Sequence, residues 1–431
     1  MNDGGIMNLF GRKKDFERVP VGQLQPGMHV SLAERWWDHP FLLNEFTLET
    51  ESQIQVIAGL GMEQVLWSPI ASRLGPKESI AAARPAAQVP EVLAKARAER
   101  DARRDQSRKA RERIRHADRD HLAASSVLRE AFALARTSPR AAVQKSHAVV
   151  AEAAGVFASE ADVSIVLLSD RVSGVRLHTH AINVMLLSML IGRSQCWGEK
   201  PLGELGLGAL FHDVGLLKVP DAVRLKPESQ WSRADRTAVE DHVGHGIAMM
   251  RDIPEFPPAA QAVLAMHHEH WDGSGYPLKL AGDKIPLPPR HVAVADRYDE
   301  LCHPYSLAGG ITPAEALARM FKTESAWFDP ELLTRFIKAM GIYPPGSLVE
   351  LSNGAIGLVC GVNRDHTMRP LVTVWQDGTR PEEAPMIDLT IEPELSVARS
   401  LRESDLAPEV RDYLNPRART AYYYARLDDN D

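Results

Sequence analysis

The sequence predicts a mainly α protein, a helical bundle set between a small N-terminal α/β module and a small C-terminal β module. Three observations lead there. Between Ser125 and Met340, apolar residues recur at the helical period in segments such as SHAVVAEAAGVFAS, HAINVMLLSMLIG and ELGLGALFHDVG. After Gly341 the texture changes to alternating apolar and polar residues, PPGSLVELSNGAIGLVCGVN and PLVTVWQDG, broken by Asn-Gly and Asp-Gly turns. The 431 residues also exceed what one compact core usually holds, so two or three domains are expected.

In chain order, residues 15–75 read as the α/β module. VPVGQLQPGMHVSL carries a Pro-Gly turn between apolar runs. ETESQIQVIAGLGMEQVLW is a helix through Ile54, Ile57 and Leu60 that ends at Gly61 before a short strand. The WWDHPF aromatics are assigned to this module's core. Residues 86–124, rich in Arg, Ala, Glu and Asp, read as a solvated helical linker supported by pairs such as Glu99 with Arg103. No sustained heptad marks it as a coiled coil, although it leaves room for a homodimer. Residues 125–340 are the helical domain, 341–400 the β module, and 401–431 a polar tail expected to be loosely ordered.

Composition excludes several classes. Hydrophobic content of 44% and charge of 25% are those of a soluble globular chain. A net charge of −7, with acids interleaved through the basic linker, argues against a nucleic-acid polymer as partner. Cys196, Cys302 and Cys360 are too few and too scattered for a disulfide framework or a CxxC metal knuckle. The most apolar stretch, Ile182 to Ile191, falls well short of the roughly 20 residues that span a bilayer, and the N-terminus has no signal-like apolar run. The expectation is a cytoplasmic protein with no membrane anchor.

The chemistry lies in an ordered set of His and Asp residues: His180, His212, Asp213, His242, His267, His268 and Asp296. His180 shares a helical face with Val184, Leu187 and Ile191, so it points into the bundle. His212 and Asp213 close an apolar helix. Adjacent helical side chains diverge by about 100°, so both serve one cluster only with a metal between them. A carboxylate such as Asp213 can bridge two ions while imidazoles fill the outer positions. That donor set suits two divalent transition-metal ions, iron or manganese before magnesium. Two ions about 3.5–4 Å apart polarise a phosphoryl oxygen and generate hydroxide at neutral pH, which is the chemistry of phosphoester hydrolysis. Asp213 and His212 are accordingly the candidate catalytic pair. His178, His245 and His270 are read as supporting or surface groups, and His116, His121 and His147 as exposed.

With HDVGLLKVPD, RLKPESQWS, HHEHWDGSGYP, IPLPPRHVAVADRYDEL and FDPELL in this order, the chain resembles the HD-GYP family of HD-domain phosphohydrolases. The N-terminal VGQLQPGMHV…WWDHPFLL…LGMEQVLW resembles the uncharacterised module that often precedes such domains. The resemblance implies an HD-type helical bundle and hydrolysis of the bacterial messenger cyclic di-GMP to pGpG, and further to GMP. It implies the same seven metal ligands, and substrate contacts from Gly275, Tyr276, Pro277 and Arg290. Other signalling proteins are the further partners it implies.

Three positions depart from the family's pattern. Leu216 stands where HDxGK has Lys, removing a cation from a place where such electrostatic help is valuable; Leu216→Lys is expected to raise the rate. The segment DELCHPYSLAGG is two residues shorter than usual, lacks the Arg, and has Ser306 in place of a base. The Glu that supports a third metal falls at Arg176, so two metals are expected. These departures sustain a second reading, a degenerate domain that keeps its metals and acts by binding.

Overall fold

The computed structural model describes residues 16–32, 41, 45–77, 89–159, 163–169, 176–305, 310–363, 366–415 and 419–426. Trp36, Trp37 and Ser306 lie outside them, as does the side chain of Arg176. The chain forms two compact units. One takes residues 1–111, 348–357 and 373–414, the other residues 112–347, 358–372 and 415–431.

The first unit begins with β1 (Glu17–Pro20), β2 (His29–Ser31), β3 (Glu45–Thr47), α1 (Glu51–Gly59) and β4 (Gln64–Trp67). The strands form an antiparallel sheet in the order β1-β4-β2-β3 over a core of Val19, Leu24, Met28, Val30, Leu48 and Ile57. Gly27, in the Pro-Gly turn, has φ +96°, a conformation open mainly to glycine. Thr50 caps α1 in a reciprocal capping box with Gln53, which fixes where that helix starts.

Helix α2 runs unbroken from Val89 to Ala135, through the boundary expected near residue 124. Its first half is less solvated than its composition suggests. Arg103 pairs with Glu392 at 3.1 Å, the Ser107 hydroxyl accepts from the Met386 amide, and Arg111 donates to the Glu383 carbonyl. Its second half carries Leu128 and Phe132 into the core of the second unit.

That unit continues with α3 (Pro139–Ala158), β5 (Val163–Ser169), α4 (Arg176–Ser194), α5 (Glu199–Phe211), α6 (Asp221–Arg224), α7 (Arg233–Glu240), α8 (His242–Met250), α9 (Pro258–Met266), α10 (Leu287–Cys302), α11 (Pro313–Lys322) and α12 (Pro330–Met340). The apolar faces of α3, α4, α5, α9 and α10 meet in one core, and small residues set the closest approaches. A Cβ on Gly208 would lie 2.9 Å from the Ala260 Cα of α9. Strand β5 is an element that helical periodicity did not reveal.

Beyond α12 come β6 (Leu348–Leu351), β7 (Ile356–Val362), β8 (Leu371–Val374), β9 (Met386–Asp388), β10 (Val397–Leu401), α13 (Pro408–Leu414) and β11 (Arg419–Arg426). Strand β6 pairs antiparallel with β10, and the Asn353-Gly354 turn that follows β6 has Gly354 at φ +77°. The described part of the tail, residues 401–415 and 419–426, is not loosely ordered. Strand β11 pairs antiparallel with β5 over seven residue pairs, and Ala421 and Tyr422 are fully buried. The aromatic run TAYYYA in an otherwise polar segment is what drives it inward. His121 is also buried rather than exposed, with its Nε2 3.3 Å from the Ser125 hydroxyl. Among the described residues, no helix is long and apolar enough to cross a membrane.

Candidate metal centre

Breaks in helices bring the seven residues together. Helix α5 stops at Phe211; Asp213 then leaves helical geometry at φ −99°, ψ 11° and opens a 3-10 turn through Val214–Lys218. That change of path lets His212 and Asp213 face one point despite being adjacent. Gly215 permits the next step. A Cβ there would sit 1.9 Å from the His242 carbonyl oxygen, so only glycine lets α8 bring His242 against the turn. His267 caps the C-terminus of α9 and His268 follows it. His180 and Asp296 project from the interiors of α4 and α10. All seven are buried except His268, which is half-buried.

The donors form two apposed groups, Asp213 with His242, His267 and His268, and His180 with His212 and Asp296. Asp213 faces both. Its Oδ1 lies 3.2 Å from His242 Nε2 and 3.7 Å from His267 Nε2, and its Oδ2 lies 3.5 Å from His212 Nε2 and 3.8 Å from His180 Nε2. Asp296 does the same in reverse, with Oδ1 3.1 Å from His180 Nε2 and Oδ2 4.0 Å from His268 Nδ1.

The far side of four rings is tied down. His212 Nδ1 lies 2.6 Å from the Ala209 carbonyl, His242 Nδ1 2.5 Å from Val239 and His267 Nδ1 3.0 Å from Val263. His180 Nδ1 instead meets Asp299 Oδ2 at 2.8 Å. Such contacts place the proton on Nδ1 and leave the Nε2 lone pair facing inward, as in metal-ligating histidines.

Electrostatics agree with a cation between the groups. Burial pushes Asp213 up, but the surrounding imidazoles of His212, His242 and His267 hold it well below the usual carboxylate range. Asp296 is likewise held low against burial by His180 and His212. Burial lowers His267 and His268, which favours the neutral form a ligand requires, whereas against burial the neighbouring carboxylates raise His180 and His212, so that a metal there would displace a proton. Asp296 Oδ1, fully buried, accepts no well-directed hydrogen bond. Two ionised carboxylates and five imidazoles whose lone pairs converge in a buried space fit one or more divalent metals.

The loop after His268 lies against the centre. Tyr276 stacks on the His268 ring at 4.7 Å and its amide donates to the His268 carbonyl at 3.1 Å. Gly275 is packed so closely that a Cβ would meet the His268 carbonyl at 2.4 Å, while Pro277 is exposed. Buried Glu269 accepts from the amides of Leu278 and Leu280 at 2.6 and 2.8 Å and so pins the loop's far end. Arg290 is engaged elsewhere. It donates to the Ile285 carbonyl, pairs with Asp329 at 3.1 Å and covers the Trp271 ring, which makes it an anchor of its own loop.

Residues 162–332 match the family model described as HD domain; residues 17–145 match a domain of unknown function, and 348–408 a KOW domain associated with HD domain. A cyclic di-GMP phosphodiesterase of Pseudomonas aeruginosa is 31% identical over 365 residues, 83% of this chain and 85% of that protein. The chain belongs to the HD-GYP family. Shorter matches include a cyclic di-GMP phosphodiesterase response regulator of Xanthomonas campestris, 33% identical over 32% of this chain and 37% of that one. A 3'3'-cGAMP-specific phosphodiesterase of Vibrio cholerae is 32% identical over 28% of this chain and 24% of its own length.

Measured against other HD-GYP domains, the site here has its departures physically placed. Leu216 is buried in the helical core, and Lys218 is exposed on the turn, so neither puts a cation at the ligands. The shortened segment delivers Tyr305, whose hydroxyl donates to Asp213 Oδ2 at 3.0 Å and whose ring meets His180 edge-on. Sequence reasoning missed Tyr305, Glu269, Asn183 and Asp299. The last two had a readable signal, because each lies three residues after a proposed ligand and so on its helical face.

Proposed function

We propose that this chain hydrolyses the phosphodiester bonds of cyclic di-GMP to pGpG, and onward to GMP, at a pair of divalent transition-metal ions held by the seven residues. The observation that carries the reading is Asp213, with one oxygen toward His242 and His267 and the other toward His180 and His212. Iron or manganese suits five imidazoles with two carboxylates. When bound, such a pair supplies Lewis-acid polarisation and an acidified water. The chain's own residues do the rest. Asp213 and Asp296 would balance the charge of the ions, His212 and the other imidazoles would supply the neutral donors, and burial excludes bulk water. Tyr305 donates toward Asp213 at the site's edge. Gly275, Tyr276 and Pro277 form the wall that a guanine base would meet. The names of the relatives in Pseudomonas and Xanthomonas support this substrate.

A second reading, a domain that keeps its metals and acts by binding the dinucleotide or another signalling protein, is favoured by the burial of Leu216 and the exposure of Lys218. One experiment separates them. Protein purified anaerobically is assayed for metal and for cyclic di-GMP turnover, beside His212→Ala and Asp213→Ala. Turnover lost in both variants is expected; bound metal without turnover in the wild type, or turnover that survives the substitutions, would sink the enzymatic reading.

A further inference from the structure

Strand β11 lies at a sheet edge, paired on one side with β5. An edge strand leaves outward amides in need of partners. The Tyr422 amide is met by Asn183 of α4, whose Oδ1 accepts it at 2.8 Å. The other end of the same side chain, Nδ2, donates to Asp299 Oδ1 at 2.8 Å, and Asp299 Oδ2 lies 2.8 Å from His180 Nδ1. His303 Nδ1 lies 2.9 Å from Asp299 Oδ1. Asn183, Asp299 and Tyr422 are almost wholly buried. The line from Tyr422 to His180 therefore runs through dry protein, one hydrogen bond at a time.

The chemistry of the line is specific. A side-chain amide accepts from a main-chain N–H with its oxygen and donates to a carboxylate with its nitrogen, without carrying charge. Leucine and alanine offer neither. Strand β11 lies outside residues 162–332, which match the HD domain.

We propose that Asn183 is a positioning residue of the metal centre, anchored on the main chain of strand β11, and that this C-terminal strand completes the site by orienting His180 through Asp299. The proposal rests on the reading of the seven residues as a two-metal centre. Its chemical consequence is asymmetric. His180 belongs to the group with His212 and Asp296, so loosening it weakens the ion held there and spares the ion held by His242, His267 and His268.

The test is cobalt(II) titration of the full metal-free chain, followed by its visible absorption, with thermal melting recorded beside it. The wild type is expected to take up two equivalents. Asn183→Leu is expected to bind one of them about ten- to hundredfold more weakly, the other unchanged, with the melting temperature of the metal-free protein close to wild type. Should Asn183→Leu fail to fold, Asn183→Ala removes both hydrogen bonds while adding neither bulk nor charge. The same selective loss is expected of it. Wild-type affinity for both equivalents in Asn183→Ala overturns the proposal, as does equal weakening of both with a lowered melting temperature. A wild type that binds no cobalt overturns the metal-centre reading itself, a separately recognisable failure.

Discussion

Substituting Gly215 by alanine tests how the centre is assembled. Gly215 does not have a positive φ, so its backbone conformation is open to alanine. The obstacle is contact. The added Cβ would stand 1.9 Å from the His242 carbonyl oxygen and 2.7 Å from the Gly246 amide nitrogen, against ordinary contacts of 3.4 Å and beyond. Both are backbone atoms, so relief requires α8 to retreat by about 1.5 Å, the clearance needed for normal van der Waals contact. His242 opens that helix and lies 3.2 Å from Asp213 Oδ1, so it retreats too. Metal ligands tolerate errors of about 0.2 Å, and misplacement by about 1 Å near reacting groups costs roughly a hundredfold. Gly215→Ala should therefore lose the ion at His242, His267 and His268, with turnover down about a hundredfold or more and stability down by about 1–3 kcal/mol from overpacking. Metal analysis after desalting, a melting curve and a turnover assay read all three. Two tightly held equivalents in Gly215→Ala would refute the claim that this glycine sets the position of His242.

Leu216→Lys should lower stability by about 2 kcal/mol or more, because Leu216 is buried in the core; turnover that rises regardless shows its ammonium reaching the phosphates, and an unchanged rate shows that Leu216 is not limiting. Glu269→Gln leaves the Leu278 or Leu280 amide facing an NH2 group, so it should cost about 1–3 kcal/mol and raise KM more than it lowers kcat; an unchanged KM would remove the loop from substrate binding. Buried His291 is held at a pKa of about 4 by its burial, with Nδ1 against the Leu287 carbonyl and Nε2 against the Gln195 amide. Since the unfolded chain takes up that proton near pH 6.5, stability should fall as pH drops from 6.5 towards 4, by about 1.4 kcal/mol per unit for this group. His291→Gln should remove that slope in denaturant titrations, and a slope that persists would assign it elsewhere.

The helical bundle and the convergence of the seven His and Asp residues were legible, the bundle from its period and the cluster from the order and number of its residues. A buried imidazole alone says little, as His121 and His291 show. What escaped was non-local. Strand β5 is an apolar run of seven residues, too short for its period to separate strand from helix, and its partner β11 lies some 250 residues away. The tail was misread because its polarity is an average over 31 residues, whereas its fate is set by the three adjacent tyrosines at 422–424. Tyr305 could not be foreseen at the metals, since a comparison of motifs registers a shorter segment as a loss and not as a side chain delivered. Arg290, expected as a substrate contact, has its guanidinium on Asp329 and the Ile285 carbonyl, partners that motif matching does not register.

The placement of the ligands explains why one of them needs so much outside support. His212 and His267 follow the ends of α5 and α9, and His242 follows the end of α7. Each of these rings reaches back to a carbonyl in the last turn of the helix before it: Ala209, Val263 and Val239 each receive an Nδ1, the Val263 carbonyl while also accepting the His267 amide. Their orientation is therefore supplied by the neighbouring chain. His180 lies inside α4, and its Nδ1 meets no carbonyl of its own helix. Its acceptor comes from another element, a charged oxygen brought in by α10. A buried carboxylate needs further donors to be tolerated, which calls in Asn183 and His303, and Asn183 in turn finds its acceptor's partner on strand β11. Three of these four imidazoles are held by local geometry and one by the fold as a whole, so changes far from the metals should register first at His180.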